Sequence, residues 1–266
     1  MKMWIEVILN KVQKHYRIAV SRLLFYIRGK SKQNNNRIRA LKNIHVGERA
    51  FIICNGPSLT ASDLETIHNN GDISFACNKI DKIFMKTNWR PTYYVVLDET
   101  FQYSLIDTMN RVTSNMKFFS KDSFLKTRNV SGVVSYISTI GSRDLLNEPK
   151  FSEDLLSGIY TIGTTTYSMI QLAVYMGINE IYIIGCDNTY AKEIRKDGVI
   201  VSNGVNSYFD SANPKDQATA AATWQMNIAY ENARKYAEKH GIQIFNATRG
   251  GCLECFHRVD FDELFR

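Results

Sequence analysis

Four short apolar runs end in polar groups able to touch a ligand. Ala50-Phe-Ile-Ile-Cys54 gives way to Asn55, Gly56, Pro57 and Ser58, and Ile73-Ser-Phe-Ala-Cys77 ends at Asn78. Tyr93-Tyr-Val-Val-Leu97 ends at Asp98, and Glu180-Ile-Tyr-Ile-Ile-Gly185 runs on to Asp187. Any one of these alone reads as turn chemistry, because Asn, Asp and Gly are ordinary turn residues. Together they read as one site, because ligands of parallel α/β sheets bind outside the carboxyl ends of the strands. Gly56 permits close backbone approach, and Ser58 is placed to cap a following helix, whose free N–H groups and dipole suit a phosphate. Gly163, Thr164, Thr165 and Thr166 open a second helix. A plain N-cap needs only one of those hydroxyls. Neither motif has the GxGxxG or GxxxxGK[ST] spacing, so a classical dinucleotide or Walker site is not supported.

The elements that must hold these groups alternate. Helical patterns cover residues 61–68, 165–176 and 217–240, weaker strands cover 116–120 and 133–137, and a last strand covers 242–245. Fully apolar strands alternating with helices predict an α/β fold with a mostly parallel sheet and helices on both faces. The chain has 266 residues, 44% apolar and 22% charged, enough for one large domain with an appendage. No apolar run is long enough for a membrane span, and no signal peptide is expected. Cys54, Cys77 and Cys186 lie in or beside apolar runs and read as small hydrophobes. Cys252 and Cys255 have CxxC spacing with no second pair to complete a zinc site. A reducing cytoplasm is the expected home.

Charge is unevenly placed. Residues 1–50 carry twelve Lys or Arg and two acids, a net of +10, which leaves −3 of the total +7 for the other 216 residues. A protein that bound nucleic acid through its body would carry its excess there, so no nucleic-acid partner is expected. Ile5, Leu9, Val12, Tyr16, Val20, Leu23 and Ile27 recur at helical spacing, with Lys11, Lys14, Arg17, Arg22 and Arg28 on the other side. A basic amphipathic helix suits an anionic membrane surface. The alternative is a stripe packed on its own body or on another copy in a homo-oligomer. Residues 30–37 read as a polar linker. The expected division is a basic helix and linker over 1–47 and a catalytic domain over 48–266.

The motifs resemble those of the bacterial lipooligosaccharide sialyltransferases: CNGPSL at 54–59, Ala76-Cys77-Asn78, Thr161-Ile162-Gly163 before an apolar helix, and Ile184-Gly185-Cys186-Asp187 after it, in the same order. They are also similar to the neighbouring MptE-like superfamily, which contains an archaeal hydroxymethylpterin pyrophosphokinase and many proteins of bacterial capsule loci. The segment Asn246-Ala-Thr-Arg-Gly-Gly251 is closer to the capsule-locus branch. The resemblance covers about residues 48–262 and implies a Rossmann-like, GT-A-related fold. It implies a glycosyltransferase that moves a sialic-acid-like sugar from a CMP-sugar to a surface glycan or lipid-linked glycan, as a peripheral enzyme at the inner face of the cell membrane. On that resemblance Asn55, Gly56 and Ser58 hold the nucleotide phosphate and ribose, and Asn78 contacts the same nucleotide. Gly163, Thr164 and Thr165 lie against the donor sugar or cytidine, and Gly185 and Asp187 line the nucleotide pocket.

Two departures shape the alternatives. Asp98 stands where the sialyltransferases carry asparagine, and a carboxylate beside a phosphate calls for a bridging cation. No cofactor is required by the first reading. In a magnesium-dependent pyrophosphokinase, the second reading, Asp98 and Asp187 are the metal ligands. The catalytic histidine of the sialyltransferases also has no counterpart, since no histidine lies between His68 and His240. Asp210 is the expected base, raised in pKa by burial against Tyr208 and Phe209, with Tyr190 and Tyr208 assisting and His257 next in order. The absent histidine also supports a third reading, a non-catalytic nucleotide-sugar-binding subunit of a polysaccharide assembly machine.

Overall fold

The computed structural model describes residues 2–28, 30–98, 104–141, 143–210 and 220–266. The strands are β1 (Arg49–Ile53), β2 (Ile73–Cys77), β3 (Tyr93–Val96), β4 (Met116–Ser120), β5 (Val134–Ile137), β6 (Thr139–Ile140), β7 (Ile159–Tyr160), β8 (Glu180–Ile184), β9 (Lys192–Ile194), β10 (Ile200–Ser202), β11 (Gln243–Asn246) and β12 (His257–Arg258). Eight of them form one sheet in the order β12-β11-β8-β1-β2-β3-β4-β5. Every pair in it is parallel. The order reverses between β1 and β8, which opens a crevice beyond the carboxyl ends of those two strands.

Alternation along the strands builds two cores. In β1, Ile52 faces one layer and Phe51 and Ile53 the other. The first layer packs under α2 (Lys30–Ala40), α4 (Thr165–Tyr175) and α5 (Thr223–His240), with Ile38, Met169, Leu172, Ala229 and Ala233 buried. The second packs under α3 (Ala61–Asn70) and one end of α1 (Lys2–Ile27), through Leu64, Ile67 and Phe25. The expected α/β architecture, a mostly parallel sheet covered on both faces, is the one observed.

Several expectations are corrected. Residues 30–37 are the start of α2 rather than a linker. Strand β5 is an edge strand, and Asn34 on α2 serves its backbone by donating to Tyr136 O at 2.8 Å and accepting from Tyr136 N at 2.6 Å. One turn on, Arg37 donates to Val134 O at 2.8 Å. A polar run therefore folds as a helix because it caps a sheet edge. The apolar stripe of α1 does not pack on the body: Leu9, Val12, Tyr16, Leu23 and Ile27 are exposed. The buried side carries Ser21 and Phe25, with Ser21 Oγ donating to Lys121 O at 3.1 Å and accepting from Leu125 N at 3.0 Å. Helix α5 begins at Thr223, and residues 220–222 before it are not helical. Ala221 is instead bridged to Glu193, while residues 217–219 lie outside the described part. Thr60, not Ser58, caps α3, its side chain accepting from Asp63 N at 3.1 Å.

Candidate functional site

Beyond the carboxyl ends of β1, β2, β3 and β8 lies a cavity of about 610 Å³. Its wall brings together Asn55, Gly56, Asn78 and Asp98 with Gly163, Thr164 and Thr165, and with Gly185 and Asp187. Tyr190 and Tyr208 join the same wall. Pro57 and Ser58 are not among the lining residues, and neither are Asp210 and His257.

The loop after β1 is locked to the turn after β8. Cys54 N donates to Ile184 O at 2.9 Å and Gly56 N to Gly185 O at 2.8 Å. Asp187 Oδ2 accepts from Ser58 Oγ at 2.8 Å and from Ser58 N at 3.2 Å. The donors expected for a phosphate at Ser58 are thus engaged by a carboxylate of the protein itself. A Cβ on Gly56 would stand 2.0 Å from Asp187 Oδ2 and 2.6 Å from Gly185 O, so the glycine is demanded by this loop contact. The C-terminal segment tightens the same turn. Thr248 Oγ1 accepts from Cys186 N at 3.2 Å, Cys252 N donates to Asp187 O at 2.7 Å, and Gly251, at φ +70°, leaves no room for a Cβ beside Asp187.

The asparagines are the informative groups. Asn55 is buried, and its Nδ2 donates to Cys77 O at 3.1 Å. That carbonyl can only accept, which fixes the amide's orientation. Asn55 Oδ1 then has no protein partner, and the same is true of the buried Oδ1 atoms of Asn78 and Asn188. Asn78 and Asn188 sit at φ +52° and +53°, the left-handed region that asparagine tolerates better than most residues. Asn188 Nδ2 is occupied by Asn227 Oδ1 at 2.9 Å. Orphaned buried acceptors are costly unless a ligand supplies donors. A phosphate offers lone pairs; ribose or sugar hydroxyls and a base amino group offer the hydrogens these atoms lack.

At the second helix start, Thr164 Oγ1 accepts from Thr166 N at 3.2 Å as the N-cap, and Thr166 Oγ1 lies 3.2 Å from Cys54 Sγ. Gly163, at φ +65°, packs against Gln225 and Met226 of α5. Thr165 presents itself to the cavity. Cys54, Cys77 and Cys186, expected as plain core, all reach the wall. Burial pushes the Cys77 thiol up to about 12. Its hydrogen bond with Cys186, then burial, holds the Cys54 thiol well above its ordinary value. Burial likewise raises the phenol of Tyr190 well above its ordinary value.

Asp210 Oδ2 pairs with Lys82 Nζ at 2.6 Å, and the residue shares a small side pocket with Asn55, Lys79, Tyr208 and Phe209. His257 is exposed on β12 at the sheet edge, its ring 6.3 Å from that of Phe245. Among the lining residues that the sequence reading did not assign to the site are Lys14, Asn188 and Tyr230. Asn188 follows a singled-out aspartate and was within reach. Tyr230 lies mid-helix, its hydroxyl 3.4 Å from Thr164 Oγ1, and only the packing of α5 on α4 brings it there.

The charged lining is Lys14, Asp98, Asp122 and Asp187, with Asp122 paired to Arg22 at 2.6 Å. Among the described residues, no group of three His, Cys, Asp or Glu comes together around a point. Asp98 and Asp187 end strands that β1 and β2 separate in the sheet, so either would supply a single carboxylate to a magnesium ion completed by substrate phosphates and water.

A doubly wound parallel sheet with its cavity at the switch point defines a Rossmann-like, GT-A-like fold. The model of the family 6-hydroxymethylpterin diphosphokinase MptE-like matches residues 28–193. The chain belongs to this family. Among solved structures it is similar to the Maf glycosyltransferase from Magnetospirillum magneticum AMB-1, at 15% identity and a TM-score of 0.53, over 84% of this chain and 37% of that one. The chain thus spans little more than a third of that glycosyltransferase, and the likeness is one of fold. It is also similar to the sialyltransferase CstII from Campylobacter jejuni in complex with a substrate analogue, cytidine-5'-monophosphate, at 17% identity and a TM-score of 0.48, over 80% of this chain and 85% of that one. No curated protein matches the chain.

Proposed function

We propose that this chain is a nucleotide-dependent transferase whose donor lies with its hydroxyl- and amine-bearing nucleoside against Asn55, Asn78 and Asn188. The observation that carries this is that three asparagines on the cavity wall have amide oxygens with no protein partner. The reaction class supported first is that of the family: transfer of a diphosphate from a nucleoside triphosphate to a hydroxyl. The wall suits a polyphosphate only with a divalent cation, since its lining carries three carboxylates, Asp98, Asp122 and Asp187, and one cation, Lys14. Magnesium bound there supplies neutralisation of phosphate charge. The protein's own groups orient the donor: asparagine oxygens accept from the nucleoside, and the Tyr190 phenol, kept protonated by burial, donates to a departing oxyanion.

A second reading is glycosyl transfer from a CMP-sugar to a surface glycan, in the capsule-locus branch. The segment Asn246–Gly251, whose sequence is closer to that branch, favours it. There Asp98 is the cavity carboxylate that takes the acceptor proton. The test is a thermal-shift panel of CMP, CDP, UDP, GDP and ATP, each with and without magnesium, because a ligand of the folded state raises its stability. Stabilisation by a purine triphosphate only with magnesium selects the diphosphate-transfer reading. Stabilisation by CMP without magnesium selects the glycosyl reading, and no response to any nucleotide refutes both.

A further inference from the structure

Two elements with exposed apolar side chains reach the rim of the same cavity. Helix α1 contributes Lys14 to its wall while Leu9, Val12, Tyr16 and Leu23 stand exposed along the same helix. The antiparallel hairpin β9–β10 contributes Ile194 to the wall and exposes Val199 and Ile200. Exposed apolar residues scattered singly are ordinary, but two such groups framing one opening are not.

Both elements are also basic. Lys14, Arg17 and Arg22 lie on α1, Arg22 paired with Asp122, and the hairpin exposes Lys192, Arg195 and Lys196 against the acids Glu193 and Asp197. A second copy set against this face would oppose cation to cation, whereas an anionic bilayer complements it. Among the described residues no helix is long and apolar enough to cross a membrane. Interfacial seating is the mode that such a helix and hairpin allow: apolar side chains enter the headgroup boundary and ammonium and guanidinium groups meet lipid phosphates.

We infer that the mouth of the cavity is the membrane-facing side of the protein, with α1 and the 192–202 hairpin seated together in an anionic lipid surface. An acceptor anchored in that surface then enters the cavity along the plane of the bilayer. This last step rests on the transferase reading; the docking itself does not.

The experiment uses the full chain with phosphatidylcholine vesicles and with vesicles containing about 30% phosphatidylglycerol. Hydrogen exchange is expected to slow in residues 9–27 and 192–202 together, and only with the anionic vesicles. The pairs Leu9→Glu/Val12→Glu and Val199→Glu/Ile200→Glu should each lower vesicle partition roughly tenfold, with the nucleotide-induced thermal shift unchanged. Protection of α1 alone overturns the inference, because the mouth then faces away from the lipid. Equal binding to neutral vesicles overturns it, and so does a face covered by a second copy, seen as a change of oligomeric state in the variants. Docking as described without any nucleotide response upholds the inference while refuting the transferase reading.

Discussion

Replacing Gly56 by alanine tests whether the loop after β1 is built for a phosphate or for Asp187. A Cβ at this position would lie 2.0 Å from Asp187 Oδ2, 2.9 Å from Asp187 Cγ and 2.6 Å from Gly185 O. The carboxylate can swing away, but only by leaving Ser58 Oγ and Ser58 N, at 2.8 and 3.2 Å. Hydrogen bonds to a partly solvated carboxylate contribute about 1 kcal/mol each, so this withdrawal costs about 2 kcal/mol. The Gly185 carbonyl is backbone, and relieving that contact adds about 1–2 kcal/mol of overpacking. Gly56→Ala should therefore destabilise by about 3–4 kcal/mol in urea denaturation. Asp187→Ala alone should cost about 2 kcal/mol. In the double variant the Asp187 bonds are lost only once, so the total should fall about 2 kcal/mol short of the sum. If Gly56→Ala keeps wild-type stability and loses only nucleotide binding, the glycine serves the ligand and the packing argument is refuted. An additive cycle would also refute it, since the two residues would then not share one contact.

Asn78→Ala should weaken nucleotide binding by about 1–2 kcal/mol in calorimetry while leaving the fold intact, because its Oδ1 has no protein partner to lose. Arg249→Ala should cost about 2 kcal/mol in denaturant melts, because it leaves the buried carboxylate of Asp63, 3.0 Å away, without its guanidinium partner. The Asp262 carboxyl is lowered by its hydrogen bond to Arg249, so its contribution is present above about pH 4 and is lost as pH falls through the depressed value. Wild-type Tm should therefore drop more steeply between about pH 5 and 3 than that of Asp262→Asn. Mass spectrometry after brief alkylation at about pH 8 should find exposed Cys252 modified. Buried Cys54 and Cys77, with thiols raised in pKa, should react only after unfolding.

The sheet was legible because its strands are apolar on both sides. Runs such as Phe51–Ile53 and Ile181–Ile184 can only be central parallel strands, and their order in the chain leaves few ways to wind them. Polar groups at strand ends were legible for the same reason: a strand buried along its length has only its end to offer. What the one-dimensional pattern concealed was direction. The stripe on α1 has helical spacing, but spacing does not say which side the body occupies, and the body takes Ser21 and Phe25. The polar run at 30–37 gave no periodic signal because its task is to satisfy the backbone of the β5 edge through Asn34 and Arg37, which only the finished sheet reveals. The hairpin at 192–202 and the β12 edge strand are too short to announce themselves.

The same limit applies to the roles of the site residues. Gly56 and Ser58 are of the types expected to hold a phosphate, yet the structure engages them with Asp187, itself packed by Gly251, as a clamp that joins the ends of β1 and β8. That clamp gives the wall its rigidity, since each loop is held by the other two and not by a ligand. A wall fixed in advance can carry orphaned acceptors that a flexible loop would turn toward solvent. Asn55 shows the consequence. Its donor is tied to Cys77 O and its backbone carbonyl to Phe209 N at 2.9 Å, so Oδ1 cannot turn away to find water or protein. The cost of leaving it unpaired falls on the ligand-free state, and a nucleoside that supplies the missing hydrogen relieves it on binding.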